Sequence, residues 1–246
     1  DPFVITETID SVNCAGGSDG SILVTVIGGT PSYFYEWSNG VFGIGVKGIT
    51  GLSEGNYSLN LTDANNCPAA ASFYVPQPLP VAIDEIIPSA ASCFGSEDGS
   101  LLIHASGGTG QWMYSVDNGL TFGSENPVTG LAGGDYQVVA RDGNNCSTAL
   151  APASVSQPPA ILIVDQSGTS ISCNGADDGT ISITASGGVG GFRYSIDGGL
   201  TFADNGGLFT GLGPATYEIS VADTHQCMVG GEDIEITEPD PVVADI

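Results

Sequence analysis

A nine-residue stretch occurs three times in this chain, and it limits the possible folds more than any other feature. It begins at Cys14, Cys93 and Cys173, and each copy runs through a Gly/Asp loop into Gly-Ser or Gly-Thr and an aliphatic residue. The copies start 79 and 80 residues apart. A fixed period marks tandem copies of one folding unit. Because this period is longer than that of a solenoid repeat, we predict three small self-contained domains in series.

The repeat places the domain boundaries at the Gln-Pro or Glu-Pro pairs that close each copy. We predict domains over residues 1–79, 80–159 and 160–240. Residues 241–246 resemble the segment that opens the second copy, so we expect them to begin a further repeat of a longer array. A domain of about 80 residues has a modest core and usually needs additional cross-links.

Period-two alternation of apolar and polar residues predicts β-strands in every copy. The first copy has Ile22, Val24 and Val26 on one face of such a strand, and a Gly-Gly turn follows it. Later in each copy, a Leu, a short turn and a Tyr (Tyr57 in the first) are typical of the tyrosine corner of a Greek-key sandwich. We predict an all-β chain of three tandem Ig-like or fibronectin III-like β-sandwiches, about seven strands each, forming an extended rod.

Charge excludes several classes of partner. The chain has 28 acidic and 3 basic residues, giving a formal net charge of −25. Such a surface repels nucleic acid and anionic lipid, whereas it suits divalent cations. No run of 18 apolar residues occurs, so we expect no membrane-spanning segment. His104 and His225 occupy unmatched positions, and no catalytic triad or phosphate loop is present, so we predict that the chain is not an enzyme.

The cysteines occupy two matched positions in each copy. No close pair of the kind that binds zinc occurs, so we predict disulfides and a location outside the cytoplasm. The predicted disulfide residues are Cys14, Cys67, Cys93, Cys146, Cys173 and Cys227.

The pairing has two solutions. Cys14 and Cys67 are the simplest pair, but a seven-stranded sandwich places them at opposite poles, roughly 20 Å apart, beyond the ~4.4–6.8 Å between Cα atoms that a disulfide tolerates. Pairing between consecutive copies, Cys14–Cys146 and Cys93–Cys227, is therefore slightly favoured, and Cys67 and Cys173 would then face further copies. An even strand count would restore pairing within each copy, so both solutions remain open.

Two sets of aspartates are candidate calcium ligands, because clustered carboxylates suit a hard cation. The alternative is that each Asp caps a turn with its own side chain. No stretch fits an EF-hand loop. The candidates are Asp19, Asp98 and Asp178 in the Gly/Asp loops, and Asp63, Asp142 and Asp223 in the turns before the second cysteine.

Two further patterns have structural and functional interpretations. Residues 115–122 and 195–202 resemble the Asp-box, a hairpin brace of sialidases and other propellers that lies far from their chemistry. Alternating aromatics, such as Tyr33, Tyr35 and Trp37 in the first copy, could stack on sugars. Packing in the core is the more frequent role of such rows.

Taken together, the loop C-x-G-x-x-D-G-[ST], the Gly-Gly turn, the aromatic strand, G-x-Y, D-x-x-x-C and Q-P resemble the SprB repeat. This resemblance extends through all three copies. It implies a cell-surface, extracellular adhesin filament of gliding bacteria that transmits or displays adhesive force. The implied partners are an external surface or polysaccharide, and outer-membrane gliding and secretion machinery reached through other regions. The alternatives are glycan-binding modules and a passive spacer of a secreted multidomain protein.

Overall fold

The computed structural model describes residues 2–243, which form twenty-one β-strands and no helix. They divide into two compact units. One contains the chain up to Ile86 together with Ile103–Asn126 and Gln137–Pro152. The other contains Ile87–Leu102, Pro127–Tyr136 and the chain from Ala153 onward. Within residues 2–243, no helix reaches the length and hydrophobicity that a membrane span requires.

The first copy has seven strands in two antiparallel sheets, as its alternation predicts. One sheet has the order β1-β2-β5 and the other β4-β3-β6-β7. The strands are β1 (Val4–Asp10), β2 (Gly20–Ile27), β3 (Phe34–Trp37), β4 (Phe42–Ile44), β5 (Gly48–Leu52), β6 (Gly55–Thr62) and β7 (Pro68–Val75).

The core of the first copy comes from the predicted alternation. Ile22 and Val24 of β2 are 1% exposed, and the aromatic strand β3 contributes Tyr35 and Trp37 at 1% and 2%. Phe73 packs against Trp37 with 5.8 Å between ring centroids. The two aromatics at alternate positions of β3 are thus core residues, as the more frequent role of such rows predicts.

The second copy has six strands, again in two antiparallel sheets, of orders β11-β9-β8 and β10-β12-β13. The Asp-box hairpin replaces β4: Tyr114 and Gly123 form an isolated antiparallel bridge, so the chain still reverses direction there. The strands are β8 (Ala82–Ser89), β9 (Gly99–Ser106), β10 (Met113–Ser115), β11 (Val128–Leu131), β12 (Gly134–Arg141) and β13 (Ala151–Val155).

The third copy has eight strands, because the last two long strands of the first copy are each split into two short ones here. Its sheets have the orders β14-β15-β17, β16-β19-β20 and β18-β21. The strands are β14 (Leu162–Thr169), β15 (Gly179–Ser186), β16 (Arg193–Ser195), β17 (Leu208–Leu212), β18 (Ala215–Tyr217), β19 (Ser220–Ala222), β20 (Met228–Gly230) and β21 (Ile234–Ile236). The predicted start of a further repeat covers residues 241–246. Residues 241–243 are not in a strand, and residues 244–246 lie outside the described residues.

Tyrosine corners are present in all three copies. The hydroxyl of Tyr57 donates to the carbonyl of Ser53 (3.1 Å), that of Tyr136 to Ala132 (2.8 Å) and that of Tyr217 to Gly213 (3.1 Å). Each bond spans four residues and fixes the corner that leads into the following strand. The all-β fold of tandem sandwich-type repeats is confirmed.

Candidate functional site

Two disulfides join consecutive copies of the repeat. Cys14 bonds to Cys146, and Cys93 bonds to Cys227, with 5.6 Å between the Cα atoms of each pair. This is the pairing favoured from the position of the cysteines at the poles, and the pairing within a copy does not occur. The pairing between consecutive copies occurs although the copies differ in strand number. The Asp-box hairpin of the second and third copies reverses the chain direction, as β4 does in the first.

The two remaining cysteines, Cys67 and Cys173, are free and exposed. The prediction of six disulfide-bonded cysteines is therefore met at four positions. Cys67 belongs to the turn type that bonds to a preceding copy, and Cys173 to the loop type that bonds to a following copy. Disulfides at these two positions stay a prediction.

The loop that carries the first cysteine of each copy is held by the residue before the linker proline. The side-chain oxygen of Gln77 accepts from the amide of Gly16 (2.6 Å), and that of Gln157 from Gly95 (2.8 Å). Glu238 does the same for Gly175 in the third copy (3.2 Å). These glycines have φ of +73° to +76°, the left-handed region that glycine adopts without strain. The end of each copy thus orients its own cysteine loop.

The turn that carries the second cysteine is built around a buried carboxylate. In the first copy, one Asp63 oxygen accepts from the amides of Asn65 (2.8 Å) and Cys67 (2.9 Å), and the other accepts from Thr30 (2.9 Å). Asp142 and Asp223 make the same three bonds in their copies. The residue before each cysteine has a φ between +62° and +67°. The carboxylate therefore fixes the direction of the cysteine.

These bonds bear on the calcium prediction. Asp63, Asp142 and Asp223 are 6%, 2% and 0% exposed, and both oxygens of each face backbone amides. Hydrogen bonds from the amides of Cys67, Thr30 and Asn65 lower the pKa of Asp63, in that order of effect. In the described part of the chain, no three acidic, His or Cys side chains group as a metal site would require. This geometry supports turn capping, and calcium binding stays a prediction.

The aspartates of the Gly/Asp loops also cap backbone amides. Asp19 accepts from the amide of Asn13 (3.1 Å) and Asp178 from that of Ser172 (2.9 Å). Asp98 accepts from the amide of Ser92 (2.9 Å), and hydrogen bonds from Ser92 and then Ser96 lower its pKa to about 2. Each predicted calcium ligand in these loops is thus occupied in ordering the cysteine loop.

The linker between copies lies directly on the Gly-Gly turn of the following copy. The amide of Gly108 donates to the carbonyl of Leu79 (2.8 Å). A Cβ on Gly107 would lie 2.0 Å from the carbonyl oxygen of Pro80. At the second junction, Gly188 donates to Pro159 (3.1 Å), and a Cβ on Gly187 would lie 1.9 Å from a linker carbonyl.

Sequence reasoning identified these glycines only as a turn and missed that they are a docking site for the linker. The repeated signal was visible, since Gly-Gly occurs at the same place in all three copies. Only the structure shows that the glycines are needed because another part of the backbone approaches them closely.

The Asp-box segments form hairpin braces. Asp117 accepts from the Ser115 hydroxyl (2.6 Å) and from the Thr121 amide (2.9 Å), and these contacts lower its pKa. Asp197 makes the equivalent contacts, which hold its pKa at about 2, with Ser195 the largest cause. In the second copy, a guanidinium covers the aromatic ring that ends the box: Arg141 lies 3.9 Å above the Phe122 centroid.

The other candidate binding and catalytic side chains are dispersed. Tyr35 and Trp37 are buried, and burial raises the pKa of Tyr35. Trp112 is half-buried, whereas His104 and His225 are exposed and lie in different copies. The structure does not bring these residues into one site. The arrangement that recurs is the junction between copies. It consists of a disulfide, a capped cysteine loop, a carboxylate turn and the linker seat, which is the Gly-Gly turn on which the linker lies.

The fold and these junctions define a tandem array of β-sandwich repeats cross-linked from one copy to the next. The SprB repeat family model matches three segments, residues 6–42, 88–121 and 167–201, one in each copy. The resemblance to SprB repeats is therefore confirmed. The matched segments cover less than half of the chain, and each ends before the tyrosine corner and the second cysteine.

Several solved structures are similar in fold. Three N-terminal domains of the bacteriophage RB49 Highly Immunogenic Outer Capsid protein (Hoc) match with 10% identity and a TM-score of 0.45, over 97% of this chain and 100% of that chain. The N-terminal eight Ig domains of Down Syndrome Cell Adhesion Molecule match with 13% identity and a TM-score of 0.43, over 94% of this chain and 36% of that chain. These similarities concern the fold alone. No curated protein sequence matches the chain significantly.

Proposed function

We propose that the chain is a force-transmitting repeat segment of an extracellular, cell-surface adhesin that serves gliding motility. Its main support is structural, since Cys14–Cys146 and Cys93–Cys227 cross-link consecutive copies. A disulfide between consecutive copies carries tension across the linker that joins them, whereas a disulfide within one copy would not. The match to SprB repeats supports the adhesin role, and the disulfides support an extracellular location.

The two disulfides interleave along the chain, since Cys93 lies between Cys14 and Cys146. The shortest covalent path from one end to the other crosses both bonds and runs back along the segment from Cys146 to Cys93. A fully unravelled chain with both bonds intact reaches about 300 Å, against about 850 Å when they are reduced. The disulfides therefore limit how far the segment lengthens under load.

The acidic surface fits a protein that is exposed outside the cell. A net charge of −25 on 246 residues keeps neighbouring filaments apart. The proposed partners are an external surface or polysaccharide, with outer-membrane gliding and secretion machinery engaged through other regions. Within the described residues, the exposed and dispersed histidines give no support to an enzymatic role.

Single-molecule stretching tests the mechanical role. Molecules pulled from their two ends should extend to about a third of the length reached after reduction. The comparison needs a chain with all four bonded cysteines changed to serine, which should extend fully without reductant. Equal extension of the native and reduced chains would contradict the proposal, because the disulfides would then not limit the extension.

A glycan-binding role is the rival, and the partly exposed Trp112 is the residue that best tests it. Trp112→Ala should leave binding to a polysaccharide array unchanged if the chain serves only as a connector. Trp37→Ala is unsuitable, since Trp37 is 2% exposed and its loss would disrupt the core. Reproducible binding by the native chain that disappears with Trp112→Ala would favour the rival.

A further inference from the structure

The two free cysteines are the unmatched halves of one junction. Cys173 lies in the same capped loop as Cys14 and Cys93, which bond forward to the next copy. Cys67 lies in the same carboxylate turn as Cys146 and Cys227, which bond backward to the previous copy. Both free thiols are exposed. One molecule thus presents a forward half at one position and a backward half at another.

The forward half is assembled as it is at the bonded junctions. Glu238 caps the amide of Gly175, as Gln77 and Gln157 cap their loops. The Asn174 side chain donates to the carbonyl of Pro239 (3.2 Å), tying the loop to the end of the copy. A groove beside Cys173 is lined by Asn174 and Pro239, as the groove beside bonded Cys93 is lined by Phe94 and Pro158.

The backward half is assembled as well. Asp63 orients Cys67 through the same three amide bonds that Asp142 makes around Cys146. At the first junction, the side chain of Asn144, two residues before Cys146, donates to the carbonyl of Asn13 (3.1 Å). Asn65 occupies the equivalent place before Cys67. One N–H of its side-chain amide donates to the Thr30 hydroxyl (2.9 Å), which leaves the second N–H for the carbonyl of Ser172, the counterpart of Asn13.

We propose that Cys173 of one molecule and Cys67 of a second copy of this chain form a head-to-tail disulfide that reproduces the internal junctions. The partner is a second copy of this chain, because the surfaces around Cys173 and Cys67 match the two sides of the junction that forms twice within the chain. Since the two faces differ, the contact is heterologous, and each added molecule leaves a free forward half and a free backward half for the next one until a ring closes.

The bond forms by thiol–disulfide exchange with a low-molecular-weight disulfide such as oxidised glutathione. The Cys173 thiolate attacks one glutathione sulfur, which releases glutathione thiolate and leaves a mixed disulfide. The Cys67 thiolate of the second molecule then attacks the Cys173 sulfur and releases the second glutathione. Two protein thiols are oxidised, and one glutathione disulfide is reduced to two thiols.

The linker seat imposes one condition on this joint. Pro241 and Val242 correspond to Pro80 and Val81, which lie on the Gly-Gly turn of the next copy. In the first copy, that place is filled by Phe3, which a Cβ on Gly29 would approach to 2.6 Å. Val242 of one molecule and Phe3 of the other would therefore compete for the same Gly-Gly turn. A chain ending at Asp240 lacks Val242, and we expect it to join to a second molecule faster than the full chain does.

The test mixes two single variants, each keeping one free cysteine. Cys67→Ser supplies Cys173 and Cys173→Ser supplies Cys67, in a glutathione redox buffer that leaves the two internal disulfides intact. We expect a mixed covalent dimer well above the half that random pairing of equal amounts would give. Peptide mapping should find Cys173 joined to Cys67, and the unaltered chain should form a ladder of multimers. The Cys67→Ser chain ending at Asp240 repeats the test without the competing segment.

Three outcomes would overturn the proposal. The first is that each variant forms dimers with itself in the proportion that random pairing gives. The second is that neither the full nor the shortened Cys67→Ser chain forms a covalent dimer. The third is that Cys67 and Cys173 of the unaltered chain bond to each other within one molecule. The readout is independent of the proposed function. Adhesion could fail while the joint forms, and the stretching experiment uses only the internal bonds.

Discussion

The two junctions share their backbone chemistry and differ in most of their side chains. The first has the linker Leu79-Pro80 and the second Pro159-Ala160, yet both linkers accept a hydrogen bond from the Gly-Gly turn. Both disulfides have the same 5.6 Å Cα separation. The junction therefore depends on glycines, a carboxylate and cysteines that fix backbone positions, whereas the remaining surface can vary.

The two junctions differ in the residue that lies two positions before the second cysteine. At the first junction Asn144 donates to the carbonyl of Asn13, so a polar bond accompanies the disulfide. At the second junction, His225 takes the place of Asn144, and its hydrogen bond runs from its backbone amide to Asp223 of its own copy. The first junction therefore retains a contact between copies when its disulfide is removed, and the second depends more on its disulfide.

Removing one disulfide at a time should give the largest effect. Cys93→Ser with Cys227→Ser, and Cys14→Ser with Cys146→Ser, should each cost about 3–5 kcal/mol, since each bond closes a loop of more than 100 residues. We expect the larger loss at the second junction. Urea unfolding of the two double variants measures this difference. A larger loss at the first junction would contradict the expectation that the second junction depends more on its disulfide.

A methyl group on the linker seat should have the next largest effect. Gly107→Ala or Gly187→Ala places a Cβ about 2 Å from a linker carbonyl oxygen, so the linker must move, at a cost of about 2–3 kcal/mol. Gly130→Ala is the matched control. Its φ of +75° is close to the +78° of Gly107, but no atom lies within 4 Å of its Cβ. It should lose only about 1 kcal/mol, for its backbone strain.

Equal losses for Gly107→Ala and Gly130→Ala would mean that the linker does not rest on the turn. Hydrogen exchange at the amide of Gly108 gives a second measurement. This amide should exchange faster in Gly107→Ala than in Gly130→Ala.

Replacing the buried carboxylates should cost less. Asp142→Asn and Asp223→Asn keep the shape but turn an amide group toward a backbone N–H, which loses a hydrogen bond and costs about 1–3 kcal/mol in thermal unfolding. The two variants should lose similar amounts, because both carboxylates make the same three bonds. Loss at one site alone would show that the turns are not equivalent.

Acid should produce the smallest and most gradual effect. The folded pKa values of Asp98 and Asp197 are lowered to about 2, so their contribution is complete above the unfolded value, about 4. It is lost as the pH falls through about 2, because the unfolded chain then binds more protons. Asp98→Asn should flatten the acid limb of stability against pH. An unchanged limb would show that the Ser92 and Ser96 bonds do not form in solution.

The aromatic ring at the end of the hairpin shows where sequence comparison fails. Phe42, Phe122 and Phe202 occupy one position in the three copies, but different residues cover them: Phe34, Arg141 and Arg193, respectively. Arg141 pairs across strands with Met113, whereas Arg193 itself occupies the Met113 position and pairs with Ala222. The covering side chain therefore comes from either of two paired strands, which an alignment of the copies cannot reveal.

The sequence by itself determined the three copies, the alternating strands, the tyrosine corners and the buried aromatics of the first copy, because each depends on local period and composition. It limited the cysteines to two pairings, because strand number decides which pole each cysteine reaches. Only the tertiary structure decided that they join consecutive copies, that Gln77 and Gln157 cap the cysteine loops, and that Gly-Gly is a seat for the linker. Those contacts join residues from 29 positions (Leu79 and Gly108) to 134 positions apart (Cys93 and Cys227) or depend on backbone approach, which no local pattern encodes.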